Sequence, residues 1–514
     1  MTDFKRDSAA SESGDDGLRR GALSRRLKLL YSTGDLTTSV PLTIVMFFRF
    51  LFLTDIVGLG PGTAGWVVLA GRLWDAVNDP LIGQWADRIH SKFGRRRVLL
   101  LYAAVPLGVF FMLMWVSPFA SDQFDGRYQD LVQAVYFAFA FIAFDTLYTV
   151  VHIAYNALTP ELTRDYDERS ALNGYRMAYA IGGTLGALIL KTVLGWYITD
   201  AEQLYKILGV GLGLFCMVPP LIVFFVTKNY ASGTDEAPRA ALSIRDALGH
   251  TLRNRPFWMV MGLYLFSWTT ASIMASMLAF YVRYYMRVPD QADYVVLTAQ
   301  FSAILCIPIT VHLSTRFDKR RAFIAGCIWW IAVLLAISGL QSDQLGFAYA
   351  LAAASGLGIA TAYVVPWSMV PDLIELDQQA TGLRREGSYY SFVAFFQKLG
   401  TAVALWAVGQ ALDASGYITP LTDNARQAAI LLGERLAAAP ALSGVARADL
   451  VGLVQALSGL PAQPESTLFA FRLFMGPVPA VLLLGAILCA YKFPITRDTH
   501  RAVLRELSGG ASSN

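Results

Sequence analysis

The sequence predicts an all-α membrane protein of twelve transmembrane helices arranged as two six-helix pseudo-symmetric bundles. Three observations predict it. The 514-residue chain is 55% hydrophobic and only 16% charged, against about 25% charged in soluble domains. Apolar runs of roughly 20 residues, the length at which a helix crosses a bilayer, recur along it. The longest polar stretch before the eleventh run, residues 228–255, divides the runs six and six.

In chain order the runs fall at residues 34–56, 63–86, 98–117, 132–157, 173–195, 207–227, 256–285, 294–314, 322–340, 345–368, 388–412 and 468–491. Polar residues interrupt the second and the eleventh. Residues 1–30 are polar, and the first apolar run is too long for the core of a cleavable signal, so the first helix is expected to remain in the mature protein. The expected organisation is a cytoplasmic segment 1–30, an N-terminal bundle 31–227, a cytoplasmic loop 228–255, a C-terminal bundle 256–491 and a cytoplasmic tail 492–514. Within the second bundle, residues 413–467 form a long outward insertion, where 434–440 and 446–458 have the apolar spacing of short amphipathic helices.

Basic residues set the orientation. Arg88, Lys92, Arg95, Arg96 and Arg97 cluster after the second run, and Arg316, Lys319, Arg320 and Arg321 after the eighth. With both termini cytoplasmic, most of the 42 Lys and Arg residues fall inside, as the positive-inside rule requires of a multi-pass protein of the plasma membrane, here a bacterial inner membrane. The net charge of +4 needs no nucleic-acid partner, because these clusters face anionic lipid headgroups. Cys216, Cys306, Cys327 and Cys489 fall inside the spans without metal-ligand spacing and read as packing residues. No phosphate-binding glycine loop or nucleophile elbow appears, which disfavours an ATP-driven pump or a hydrolase. A monomer without cofactor is expected.

The second run carries the chemistry. Arg72-Leu-Trp-Asp-Ala-Val-Asn-Asp-Pro80 places Asp75, Asn78 and Asp79 within an arc of about 100° on one helix. An ionised carboxylate at mid-bilayer costs about 2.5–3.5 kcal/mol, and a like-charged neighbour raises that cost. Two so close need a counter-charge. A salt bridge to Arg72 or Arg49, or one protonated aspartate, would supply neutrality; a mobile Na⁺ or H⁺ would do so as cargo. Arg49, near mid-span of the first helix, is expected to form an ion pair across the bundle. Asp35 and Asp145 are read either as residues near the membrane faces or as members of the site.

Gly83-Gln-Trp-Ala-Asp-Arg88 followed by Gly94-Arg95-Arg-Arg97 resembles the signature between helices 2 and 3 of the major facilitator superfamily, with Gly83, Asp87, Arg88, Gly94 and Arg95 as its marked positions. Thr315-Arg-Phe-Asp-Lys-Arg-Arg321 echoes it in the second half. Lys28-Leu-Leu-Tyr31, Thr54-Asp-Ile-Val-Gly58, the Arg72–Pro80 stretch, Pro371-Asp-Leu-Ile-Glu-Leu-Asp377, Arg384-Arg-Glu-Gly387 and Gln397-Lys-Leu-Gly400 are similar to segments of the glycoside-pentoside-hexuronide:cation symporter family. That resemblance implies the major facilitator fold, and a Na⁺ or H⁺ site at Asp75, Asn78, Asp79 and Thr149. It implies a substrate site with Arg176 and Lys398; read from the residues alone, Arg176 could instead snorkel to an interface and Lys398 form a helix-packing salt bridge. At the positions where galactoside transporters of this family carry aspartate, aspartate and tryptophan, this chain has Ser39, His152 and Asn156, which argues against an α-galactoside substrate. His152-Ile-Ala-Tyr-Asn-Ala-Leu-Thr159 also resembles the sodium-coupled lysophospholipid symporters of animals. Asp35 and Trp367 complete the expected substrate site, Trp367 among aromatics suited to stacking on a sugar ring or, equally, to packing. The expected function is cation-coupled symport of a carbohydrate or glycoside; a lysolipid or amphiphile is the alternative, and a transport-inactive scaffold or sensor a third.

Overall fold

The computed structural model describes residues 23–89, 91, 93–117, 126–163, 165–228, 255–381, 386–420, 431–432, 435, 461–494 and 499. Among them the chain is helical throughout, in twelve long helices. These are α1 (Arg25–Ile56), α2 (Pro61–Arg88), α3 (Arg95–Leu113), α4 (Gly126–Leu162), α5 (Tyr166–Tyr197), α6 (Ala201–Thr227), α7 (Arg255–Tyr285), α8 (Ala292–Phe317), α9 (Lys319–Ser338), α10 (Leu345–Thr381), α11 (Glu386–Ala414) and α12 (Glu465–Lys492). Each expected run coincides with one helix, although the third and ninth overrun it by a few residues, where the backbone turns at Met114 and Gly339. Eleven of the twelve are apolar enough to cross a membrane; α2 falls short because of Arg72, Asp75 and Asp79, yet its 28 residues reach about 42 Å, more than a hydrocarbon core.

Local chemistry sets the ends. Asp165 and Asp200 cap α5 and α6 by accepting the amide protons of Glu168 and Gln203. Pro61 opens α2 at a position where its missing N–H costs nothing. The turns into α3 and α9 share one backbone conformation, φ 90° at Gly94 and φ 91° at Asp318, so the echo seen in the sequence is a structural repeat. A second repeat lies at the far ends of α1 and α7, where both helices widen into a π turn, at Phe52–Ile56 and Tyr281–Tyr285. The two short helices expected within the insertion lie outside the described residues.

The first six helices pack among themselves, α3 between α4 and α6, α1 against α5 and α6, and α2 against α4; the last six do likewise, around α7 and α10. The halves meet where α2 crosses α11, α5 meets α8 and α1 meets α7. On the face opposite the termini, here called the distal face, this seam is tight. A Cβ on Gly65 would stand 3.2 Å from the Trp406 carbonyl oxygen, and one on Gly409 only 2.6 Å from that of Pro61; two glycines let the backbones of α2 and α11 touch. Trp66 packs edge-on to Trp406, Lys191 pairs with Asp293, and Trp196 donates to the Tyr294 hydroxyl at 2.6 Å. The distal face is closed.

The conformation at position 318 yields a test. With φ near 91° a non-glycine residue is strained, so Asp318→Gly should stabilise the protein by about 1 kcal/mol. Gly94→Ala should destabilise it by at least as much; thermal unfolding in detergent, followed by intrinsic fluorescence, reads both.

Candidate cation and substrate site

The carboxylates of α2 meet α4 and α11 at mid-membrane. Thr149, on α4, donates to Asp79 at 2.9 Å and lies 3.4 Å from Asp75. Lys398, from α11 in the opposite half, places its ammonium against both, 2.9 Å from Asp75 Oδ1 and in direct contact with Asp79 Oδ2. Arg72, one turn back on α2, stands 3.7 Å from Asp75. Asn78 is buried on the same side with its Nδ2 unpartnered. Two carboxylates therefore converge on one monovalent cation, which the protein's own lysine supplies, and the Thr149 hydroxyl orients them. Hard oxygen donors suit Na⁺ as well as an ammonium group.

Of the charges around this cluster, one departs from expectation and one decides an open reading. Arg49 is 3% exposed yet forms no salt bridge with a described residue; its guanidinium lies over the Phe141 ring, 4.9 Å from the centroid, and feels the Asp145 and Asp75 carboxylates from beyond salt-bridge distance. Asp145 is not near a membrane face: it is 4% exposed, one turn from Thr149 on α4, with Oδ2 unpartnered.

A second polar cluster lies nearer the terminal end of the first half. Arg176, on α5, grips both oxygens of Asp35 on α1, at 2.9 and 3.2 Å. Its remaining donors reach Asn156 at 2.6 Å and Thr159 at 2.8 Å, and the guanidinium covers the Tyr155 ring at 4.5 Å. Tyr155 donates to Asp35 at 2.6 Å; Tyr31 donates to the Tyr155 carbonyl oxygen at 2.8 Å and lies 2.9 Å from the Thr159 hydroxyl. Asp35 thus pairs internally and is not a surface charge, and Arg176 does not snorkel to an interface. Ser39 is elsewhere in use: its hydroxyl bonds its own helix at Asp35 and packs against Gly183.

Between the halves, His152 is exposed although it shares the inward α4 face with Thr149 and Asn156, and it stacks on Tyr148; an exposed side chain on an interior face lines a cavity. In the second half Trp268, Tyr264, Tyr363, Trp367 and Tyr390 are in contact along α7, α10 and α11, with Trp367 49% exposed. The structure brings Asp75, Asp79, Thr149 and Lys398 into one group, with Asn78 beside it, and Asp35, Asn156 and Arg176 into another. Lys398, expected beside a substrate or in a salt bridge between helices, sits at the carboxylate pair and forms the salt bridge. The hydrogen-bonding parts of Tyr31, Tyr155 and Thr159 were not foreseen; their sequence signals were the Lys28–Tyr31 segment of α1 and the polar residues of His152–Thr159 on α4. Gly83 has open space around it and Gly94 forms the turn into α3, whereas the side chains of Asp87, Arg88 and Arg95 lie outside the described residues.

The model of the MFS/sugar transport protein family matches residues 30–451. An uncharacterized symporter of Synechocystis is 29% identical, over 95% of this chain and 97% of its own length. The sodium-dependent lysophosphatidylcholine symporter 1-A of Danio rerio is 24% identical over 82% of this chain and 84% of its own. Among solved structures, a bacterial homolog of the human lysosomal transporter Spinster, inward-facing and occupied, superposes with a TM-score of 0.60 at 14% identity, covering 92% of this chain and 96% of that one. That likeness gives the fold, twelve helices in two six-helix bundles. With a family model matched along most of its length, the chain belongs to the MFS/sugar transport proteins of the major facilitator superfamily.

Proposed function

We propose that this transporter couples entry of a monovalent cation, Na⁺ or H⁺, to uptake of a carbohydrate or glycoside by alternating access. The observation that carries the reading is the Lys398 ammonium seated between Asp75 and Asp79. A site that already accommodates one positive charge in a cage of oxygens can exchange it for another. Asp75, Asp79 and Thr149 would hold the incoming cation, with Asn78 turning its carboxamide oxygen to it. Lys398 is then displaced, which removes a bond between α2 and α11 and frees an ammonium group for the substrate cavity. Cation and substrate thereby favour each other's binding, which is the thermodynamic content of symport.

The cavity has the parts for a polyhydroxylated guest. His152 offers a donor and an acceptor on one wall, held beside the internally paired Arg176, Asp35 and Asn156, and the Trp367 group offers aromatic faces on the other. The basic-residue pattern supports cytoplasmic termini in a bacterial inner membrane, which makes the distal face the outer one. A lysolipid or amphiphile is the second reading, favoured by the name of the Danio rerio relative.

Asp79→Asn should abolish gradient-driven accumulation while leaving membrane insertion intact; accumulation persisting in that variant overturns the cation site. A panel of radiolabelled sugars, uronides and lysolipids, taken up with and without a sodium gradient, distinguishes the substrate classes. Lys398→Met should lower thermal stability by about 2 kcal/mol, because it leaves two carboxylates facing each other in a site where Lys398 is only 21% exposed. Adding Asp79→Asn should restore part of that loss, and additive effects would show that the contact is not energetically coupled.

A further inference from the structure

A second buried carboxylate joins the halves far from the cation site. Asp55, in the π turn of α1, is 4% exposed. Its Oδ1 accepts from Thr54 at 2.9 Å and from Tyr417 at 2.7 Å, and its Oδ2 accepts from Tyr284 at 2.7 Å. Both tyrosines belong to the opposite half, so the distal face cannot open without taking them away from Asp55. Arg283 stands behind, 3.8 Å from the same oxygen.

Tyr417 occupies a particular place in the chain, near the start of the insertion that separates α11 from α12. Its ring is boxed by Phe280, Tyr284 and Phe471, with centroids at 6.0, 5.6 and 6.2 Å; Phe471 lies on the chain after the insertion. The two ends of the insertion are tied at a neck. The Ile418 amide donates to Gln463 Oε1 at 2.9 Å, and Gln463 Nε2 donates back to the Ile418 carbonyl at 2.7 Å. Ser466 and Thr467 both donate to the Ser415 carbonyl.

We propose that this neck is a strap on the outer gate: its hydrogen bonds hold Ser415 and Ile418 against Gln463, Ser466 and Thr467, and Tyr417 between them is fastened to Asp55, so the neck controls how readily the transporter opens outward. Pulling or twisting the neck moves the phenol that holds the gate shut. The cation site sets when the carrier turns over, and the strap sets how much of the population faces out.

The test uses Ala275→Cys on α7, a residue lining the small apolar cavity beneath the gate together with Phe47. Its labelling by a membrane-impermeant maleimide is followed in right-side-out and inverted vesicles, with the parent's four cysteines as the blank. Tyr417→Phe and Gln463→Ala should each accelerate labelling in right-side-out vesicles, Tyr417→Phe by tenfold or more and Gln463→Ala by less. Tyr285→Phe, which removes only a bond to Leu340 within one half, should leave it unchanged. Should Tyr417→Phe fail to reach the membrane, Tyr284→Phe takes its place. Unchanged labelling in the gate variants overturns the gate, and acceleration by Tyr417→Phe with none by Gln463→Ala overturns the strap. Acceleration confined to inverted vesicles keeps the strap and overturns the orientation proposed above. No transport is measured, so failure of the cation site leaves this result intact.

Discussion

The structure depends on keeping two carboxylates, one helical turn apart, inside a bilayer. At about 3 Å and an effective dielectric constant near 20, a lysine and an aspartate attract by roughly 6 kcal/mol. Desolvating the ions costs several kcal/mol each, so the gross attraction is largely offset. A pair that nearly breaks even is one that a competing cation can exchange. Because Lys398 comes from α11 and the carboxylates from α2, the exchange acts on the seam between the halves, where alternating access takes place.

The two polar clusters differ in the chemistry of their cation. Arg176 holds Asp35 through a planar fork, with further donors committed to Asn156 and Thr159 and its face covering Tyr155. Arginine is charged at all accessible pH values, and the fork fixes its geometry. All these partners belong to α1, α4 and α5, so the cluster is a rigid part of one half. Lys398 is a point charge on a flexible stem, reaching across to the other half. Of the two cations, the lysine is the one built to move.

Much of this was legible in the residues. Twelve spans follow from apolar run length, since a helix in lipid must satisfy its own backbone and little else forms there. Asp75, Asn78 and Asp79 stood out because carboxylates are costly in such runs, and helical periodicity placed them together. What the sequence withheld was pairing at long range. Lys398 and Asp79 lie on helices distant in the chain, and no local pattern joins them; Asp55 and Tyr417 likewise meet only after folding. Arg49 was expected to pair with a carboxylate because a buried charge needs compensation; its direct contact is the Phe141 ring, whose polarity lies in its quadrupole, while Asp145 and Asp75 act on it from a distance. Ser39 was assigned by linear correspondence, which cannot tell a hydroxyl facing a cavity from one bound to its own helix.

The repeats show where function was added to the scaffold. The shared conformation at Gly94 and Asp318, and the π turns of α1 and α7, mark equivalent positions in the two halves. Counting back equally from Gly94 and Asp318 places Ala299 and Ala303 of α8 where α2 carries Asp75 and Asp79; both alanines are buried. Aligning the π turns places Tyr284 opposite Asp55, and these two bond each other across the pseudo-axis. In each case the fold repeats and the charge does not. A symmetric pair of acidic sites would have doubled the cost of burying carboxylates and left no lysine to cap the second. Asp55, Asp75 and Asp79 lie in the first half and take partners from the second, whereas Asp293 lies in the second and takes Lys191 from the first, so each of these contacts across the seam is also a latch between the two moving bodies.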